Sequence, residues 1–130
     1  MIDTVVGYTG GTTPSPTYEK IGNHTEALRI TFDSRVLPME KVLREFWNLH
    51  EPMPLSFTGT QYRSAVFVHG DAQRFVAEHV RQTLRGDSPF ASPSDLTAIE
   101  PAGDFYRAED YHQRFLAKQR SGAIPWSPSI

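Results

Sequence analysis

GYTGGTTPSPTYEKIGNHTE, residues 7–26, runs into the overlapping stretch TEALRITFD, residues 25–33, and together they decide how this chain is organised. The first is too polar, and too rich in Gly, Pro and Thr, for a helix or a core strand. Gly10-Gly11 tolerates positive φ and permits a sharp reversal straight after the apolar Thr4-Val5-Val6 run. Pro14 and Pro16 fix φ and push Thr13 and Ser15 toward extended conformations. The result is a loop made stiff by its covalent structure, which delivers Tyr18, His24 and Glu26 to one place. A rigid loop of this kind reads as a binding wall. A surface loop whose tyrosines pack on the core fits the same residues. In the second stretch Glu26, Leu28, Ile30 and Phe32 alternate with Thr25, Ala27, Arg29 and Thr31, the pattern of a half-buried strand. Glu26 therefore sits at the strand's mouth on the apolar side. A carboxylate there must be hydrogen-bonded, partly solvated or pushed toward its protonated form.

Outward from this centre, Met1 to Gly7 reads as a short strand. Pro38 suits a helix start, and Met39, Val42, Leu43, Phe46, Trp47 and His50 then form one apolar stripe. Phe46 and Trp47 on that stripe read as core. Pro52 and Pro54 end the helix, and Leu55–Gly59 is expected to be a loop. Gln61–His69 is expected to be a strand. Asp71 opens a helix that runs to about Leu84, with Phe75, Val76, His79, Val80 and Leu84 inward and Gly86 as its stop. A loop over Asp87–Asp95, a short strand over Leu96–Glu100 and a helix over Ala108–Gln119 complete residues 1–120 as a single domain. Residues 121–130 form a Pro- and Ser-rich tail. Strands interleaved with helices give an α+β class, a two-layer α/β sandwich with a mixed sheet.

The totals narrow the function. At 130 residues with a formal net charge of −2, and with no block of like charge, nothing points to nucleic acid or a membrane surface. There is no long apolar run and no signal-like start, so a cytoplasmic setting is the expectation. The chain has no cysteine, which excludes from it a disulfide framework, a thiolate metal site and a thiol nucleophile. Its five histidines are scattered, and no pair has the helical spacing of a zinc hydrolase, so no metal is expected.

Three segments in order, GYTGG…PTY…HTEA, then GTQYRSAVF, then PAGDFYRAEDYHQRFL, resemble the A-type peptide-methionine sulfoxide reductases from about Val5 to about Lys118. The resemblance implies a ferredoxin-like plait that lacks its first strand–helix unit, and it implies no cofactor. It also implies a chemistry. A thiolate attacks the sulfoxide sulfur, and the departing oxygen must be protonated. By position Glu26 is the acid, the Tyr18 and Tyr62 hydroxyls hold the sulfoxide oxygen, and His24 belongs to the same substrate-binding group. The implied substrate is methionine S-sulfoxide, in proteins or free, with thioredoxin as reductant of a full-length form. The family's nucleophile lies in a G-C-F-W-G segment upstream of the GYTGG loop, and this chain starts after that point. The family's active-site Asp is replaced by a shorter segment in which Phe57 stands near its place.

Those departures set three expectations side by side. A gene start placed too far downstream would leave a working reductase with its thiol upstream. A chain of this length could bind oxidised methionine without turning it over. A relic would have a structural role or none. The 130 residues as written are expected to be inactive as a reductase.

Overall fold

A computed structural model describes residues 2–86 and 93–110. The expected helix beyond Asp110, the tail and most of the Asp87–Asp95 loop lie outside those residues. The α+β class holds, with helices packed on both antiparallel and parallel strands. Strand β1 spans Ile2–Thr9 and pairs antiparallel along its whole length with β2, Thr25–Phe32, from Thr9↔Thr25 to Ile2↔Phe32. The strand thus continues past the expected limit at Gly7. Tyr8, which the sequence put in the loop, is a wholly buried central-strand residue. A short strand β5, Phe105–Arg107, adds to the other edge of β1, giving the order β2-β1-β5.

The helical half is built on α1, Met39–Leu49, whose buried residues Leu43, Phe46 and Trp47 lie on the expected stripe. They pack on Val66 and Val68 of β3, Ala65–Val68, and on Ala77 and Val80 of α3, Asp71–Arg85. At roughly 1.5–3 kcal/mol for each fully buried apolar side chain, this cluster is the chief source of stability in that half. Strand β3 pairs parallel with β4, Ala98–Pro101, after a 3-10 turn over Pro93–Leu96. Parallel and antiparallel pairings are therefore both present, divided between two sheets.

Three local readings are corrected. Leu55–Thr58 is not a loop but one helical turn, α2, closed by the Gly59 N–H on the Leu55 carbonyl at 2.8 Å. The strand expected over Gln61–His69 shrinks to Ala65–Val68, because Gln61 and Tyr62 form a turn against the start of β2. On α3 the inward stripe is rotated. Phe75 is 72% exposed and stacks face to face on an exposed His79, with ring centroids 6.3 Å apart. Ala77 takes the inward place because its small side chain lets α3 approach β3 closely. His79 is thus not the core histidine that was expected.

A buried hydrogen-bond chain ties α1 to the second sheet. The Trp47 indole N–H donates to Thr97 Oγ1 (2.9 Å), Thr97 to Ser64 Oγ (2.8 Å) and Ser64 to His50 Nε2 (2.9 Å). His50 Nδ1–H then donates to the Phe46 carbonyl at 2.7 Å. Each hydroxyl gives one proton and accepts one, an order that requires neutral His50. Burial lowers the His50 pKa, opposed in part by the bond to Phe46. The unfolded chain therefore takes up this proton more readily than the folded one. Stability is complete above the ordinary value of 6.5 and is lost as pH falls from there through the lower folded value. The thermal midpoint should begin to drop as pH falls below about 7, above the range in which carboxylates titrate. His50→Gln should flatten that drop. An equal slope in the variant would show that the linkage lies elsewhere.

Candidate functional site

The loop between β1 and β2 is organised by two side chains next to each other in sequence. The Asn23 amide oxygen accepts the Thr12 and Thr13 N–H groups at 2.9 and 3.3 Å, and its nitrogen donates to Thr12 Oγ1 at 2.9 Å. His24 is 1% exposed. Its Nδ1 accepts the Gly11 N–H at 3.2 Å, and its Nε2–H donates to the Thr13 carbonyl at 2.6 Å. That pairing fixes the tautomer and commits both ring nitrogens to the loop backbone. Gly10 turns the chain at φ 85°. Ser15, expected to be extended before Pro16, takes φ 44° instead. Beyond it Thr17 and Lys20 close a tight turn by exchanging backbone bonds of 3.3 and 3.1 Å, which aims Tyr18 back over the mouth of β2.

The second wall comes from the turn before β3. The Gln61 carbonyl accepts the Glu26 N–H at 2.9 Å, and the Thr60 carbonyl accepts the Thr25 hydroxyl at 3.0 Å. These bonds pin the turn to the start of β2 and bring the Tyr62 hydroxyl to 3.3 Å from that of Tyr18. Such a distance is long for an O–H···O bond, so the two hydroxyls hold each other weakly and can turn to a better acceptor. The Gln61 side-chain N–H donates to the Tyr62 oxygen at 3.1 Å. The Tyr62 pKa is pushed up by burial first, then by the hydrogen bond to Tyr18, then by the negative charge of Glu26. Glu26 therefore lies within electrostatic reach of the Tyr62 phenol. At neutral pH Tyr62 is an undissociated donor.

Of the four residues singled out in the sequence, Tyr18 and Tyr62 meet at their hydroxyls, and the charge of Glu26 reaches Tyr62. His24 lies behind the loop, where its polar atoms hold the wall. Three further residues escaped the sequence reading. Gln61 orients Tyr62. Glu109 accepts the Tyr8 hydroxyl and the Tyr18 N–H, both at 3.4 Å, and ties the loop to the end of β5. Glu100 holds Arg63 in a two-pronged ion pair of 2.5 and 3.0 Å, while Arg63 Nε donates to Thr25 Oγ1 at 2.8 Å. This pair lowers the Glu100 pKa and gives the Arg63 fork a carboxylate partner other than Glu26. Only the adjacency of Gln61 to Tyr62 and of Asn23 to His24 could have flagged any of this in the sequence. Phe57, near the place of the family's Asp, is 75% exposed on α2. Among the described residues no group of His, Asp and Glu side chains is placed to hold a metal ion, and no helix is long and apolar enough to cross a membrane.

Two phenol hydroxyls 3.3 Å apart, with the charge of Glu26 acting on one of them, sit beside the start of β2 in a small α+β domain. The family model described as peptide methionine sulfoxide reductase matches residues 1–128, and the chain belongs to that family. It is 42% identical to the peptide methionine sulfoxide reductase MsrA of Vibrio cholerae over 131 residues, covering 94% of this chain and 62% of the relative. The protein of the same description from Methanothermobacter thermautotrophicus is 41% identical, with 91% and 74% covered. The crystal structure of Mxr1 from Saccharomyces cerevisiae in reduced form superposes with a TM-score of 0.76 at 26% identity, covering 94% of this chain and 74% of that one. The chain thus spans about three fifths of the length of the Vibrio relative.

Proposed function

We propose that this chain supplies the oxygen-binding half of a peptide-methionine (S)-S-oxide reductase. Tyr18 and Tyr62 donate their hydroxyl protons to the sulfoxide oxygen, and Glu26 supplies the proton that the oxygen takes up as the S–O bond breaks. His24 positions Tyr18 through the loop. The reading rests on one observation above the others, the 3.3 Å approach of two hydroxyls that lie 44 positions apart in sequence. Tyr62 is protonated at neutral pH, as a donor to oxygen must be, and its surroundings push its pKa further up. In the complete reaction a thiolate attacks sulfur, two thiols become one disulfide, and the oxygen leaves as water. The 130 residues contain no thiol, so reduction by them alone is not expected. The thiolate, and thioredoxin as its reductant, belong to a full-length form.

The test is a calorimetric titration of the chain with a peptide containing methionine S-sulfoxide, with the R epimer and the reduced peptide as controls. The S epimer should bind best. Tyr62→Phe removes one donor and should weaken that binding by about tenfold, near the ~1.4 kcal/mol of one good hydrogen bond. Glu26→Gln should change the pH dependence of binding as well as its strength. Absent binding, or equal binding by the chain and both variants, would sink the assignment.

A further inference from the structure

We infer that Gln61 is a positioning residue that fixes Tyr62 as a hydrogen-bond donor toward the bound oxygen, an inference that rests on the sulfoxide-binding reading of the site. Gln61 stands at a junction. Its carbonyl accepts the Glu26 N–H at 2.9 Å, and its side-chain N–H donates to the Tyr62 oxygen at 3.1 Å. The Tyr62 oxygen lies 3.3 Å from that of Tyr18. One residue is therefore bonded to two of the groups assigned to the oxygen and stands one contact from the third. Tyr18 and Tyr62 are 42% and 41% exposed, so the pair is open to a ligand from solvent.

A hydroxyl has one proton to give and lone pairs to receive others. The amide nitrogen of Gln61 donates only, so it fills a lone pair of the Tyr62 oxygen and cannot take the Tyr62 proton. That proton is left for Tyr18 in the empty site and for a ligand oxygen in the filled one. The bond from Gln61 also draws electron density from the phenol oxygen, which makes its O–H the better donor. The sign agrees with this polarity. The Gln61 bond pulls the Tyr62 pKa down, against burial, the bond to Tyr18 and the charge of Glu26.

The backbone around Gln61 is held without its side chain. On one flank the Thr60 carbonyl accepts the Thr25 hydroxyl at 3.0 Å, and on the other Arg63 bonds to Thr25 Oγ1 and Glu100. Replacing the amide therefore alters the polarity at Tyr62 and leaves the turn in place. Gln61→Glu keeps the shape and exchanges a donor for an acceptor. Ionised, the introduced carboxylate accepts the Tyr62 proton and withdraws it from the ligand. Protonated, it can donate as the amide does. Glu26 and Tyr18 are the titratable groups that act on Tyr62, and the charge of Arg63 is committed to Glu100. The like charge of Glu26 raises the introduced carboxyl above its ordinary ~4.3.

The test titrates wild type, Gln61→Met and Gln61→Glu with the methionine S-sulfoxide peptide from about pH 7.5 to about pH 5, toward the range in which the introduced carboxyl takes up its proton. At the upper pH, Gln61→Met should bind about threefold more weakly than wild type, and Gln61→Glu about tenfold or more. The Gln61→Glu deficit should close as pH falls, while that of Gln61→Met stays constant. A packing role alone predicts no such closure. If wild type binds and Gln61→Glu either matches it at the upper pH or keeps the same deficit throughout, this inference fails and the reading of the site stands. No binding by wild type sinks both. The ligand-free chain gives a second readout by NMR. Tyr62→Phe keeps the ring and removes the acceptor, so the Gln61 side-chain N–H resonances should move upfield. Resonances that stay in place overturn the inference whether or not any peptide binds, and this comparison decides alone should the Gln61 variants fail to fold.

Discussion

His24→Ala should lower the stability of the chain by about 3 kcal/mol and abolish sulfoxide binding together with it. The ring is 1% exposed and meets Tyr106 edge-on at 5.4 Å, so truncation leaves a cavity. It also deprives the Gly11 N–H and the Thr13 carbonyl of their partner. Two hydrogen bonds at ~1 kcal/mol each, with a further penalty for the buried groups left behind, give that figure. Against a total of ~5–15 kcal/mol it is a large fraction. The effect on binding comes through geometry. Without the ring, the wall that carries Tyr18 is left to Asn23, the Thr17–Lys20 turn and the Glu109 contact with the Tyr18 N–H. His24→Gln offers an amide oxygen and an N–H in similar places and should recover part of both losses. Thermal denaturation and the sulfoxide titration check the two effects separately. A loss below ~1 kcal/mol would mean that the loop is held without the ring.

This dependence also shows what the sequence could and could not reveal. Helix α1 was legible because Leu43, Phe46 and Trp47 repeat at helical spacing and no competing stripe exists. Strand β2 was legible from strict alternation. On α3, by contrast, Phe75 and His79 and the set Ala77 and Val80 each mark a usable face. Only the approach to β3 chooses between them, and alanine wins because it is small. Strand β5 is Phe105–Arg107, too short to show a period, and it is a strand only because β1 offers an edge. The site was readable as three motifs through likeness to a family. Nothing in periodicity or composition could show that Tyr18 and Tyr62 meet, since that contact closes over one strand and two helices. The loop residues were named through that likeness, and which of them bind the loop backbone was not visible. Whether a histidine faces a ligand or the backbone depends on which loop amides come within reach of its ring.

The same closeness of packing makes Gly7→Ala the most damaging single-carbon change to expect in β1. Gly7 lies on the central strand, opposite Ala27 on one side and Arg107 on the other. A methyl group there would run into the Phe105 ring, with Cε1 at 2.5 Å, and would stand 2.6 Å from the Tyr106 carbonyl oxygen. The ring has little room to retreat, because the Arg29 guanidinium lies over it at 4.7 Å and Phe105 packs on the Ala27, Ala65 and Phe67 cluster. The carbonyl belongs to backbone and can move only if β5 separates from β1. Overpacking of this kind costs ~1–3 kcal/mol where side chains can adjust, and here the upper end applies. Detaching β5 also loosens the Ala108 N–H bond to the Val6 carbonyl at 2.9 Å and the Glu109 anchor of Tyr8 and Tyr18. Gly7→Ala should therefore lower the denaturation midpoint and raise amide exchange along β5, while α1 and α3 keep their protection. Phe105→Leu in the same chain removes part of the obstruction and should restore some of the loss. If Gly7→Ala instead melts all regions together with no selective loosening of β5, the strand is held by more than its pairing with β1.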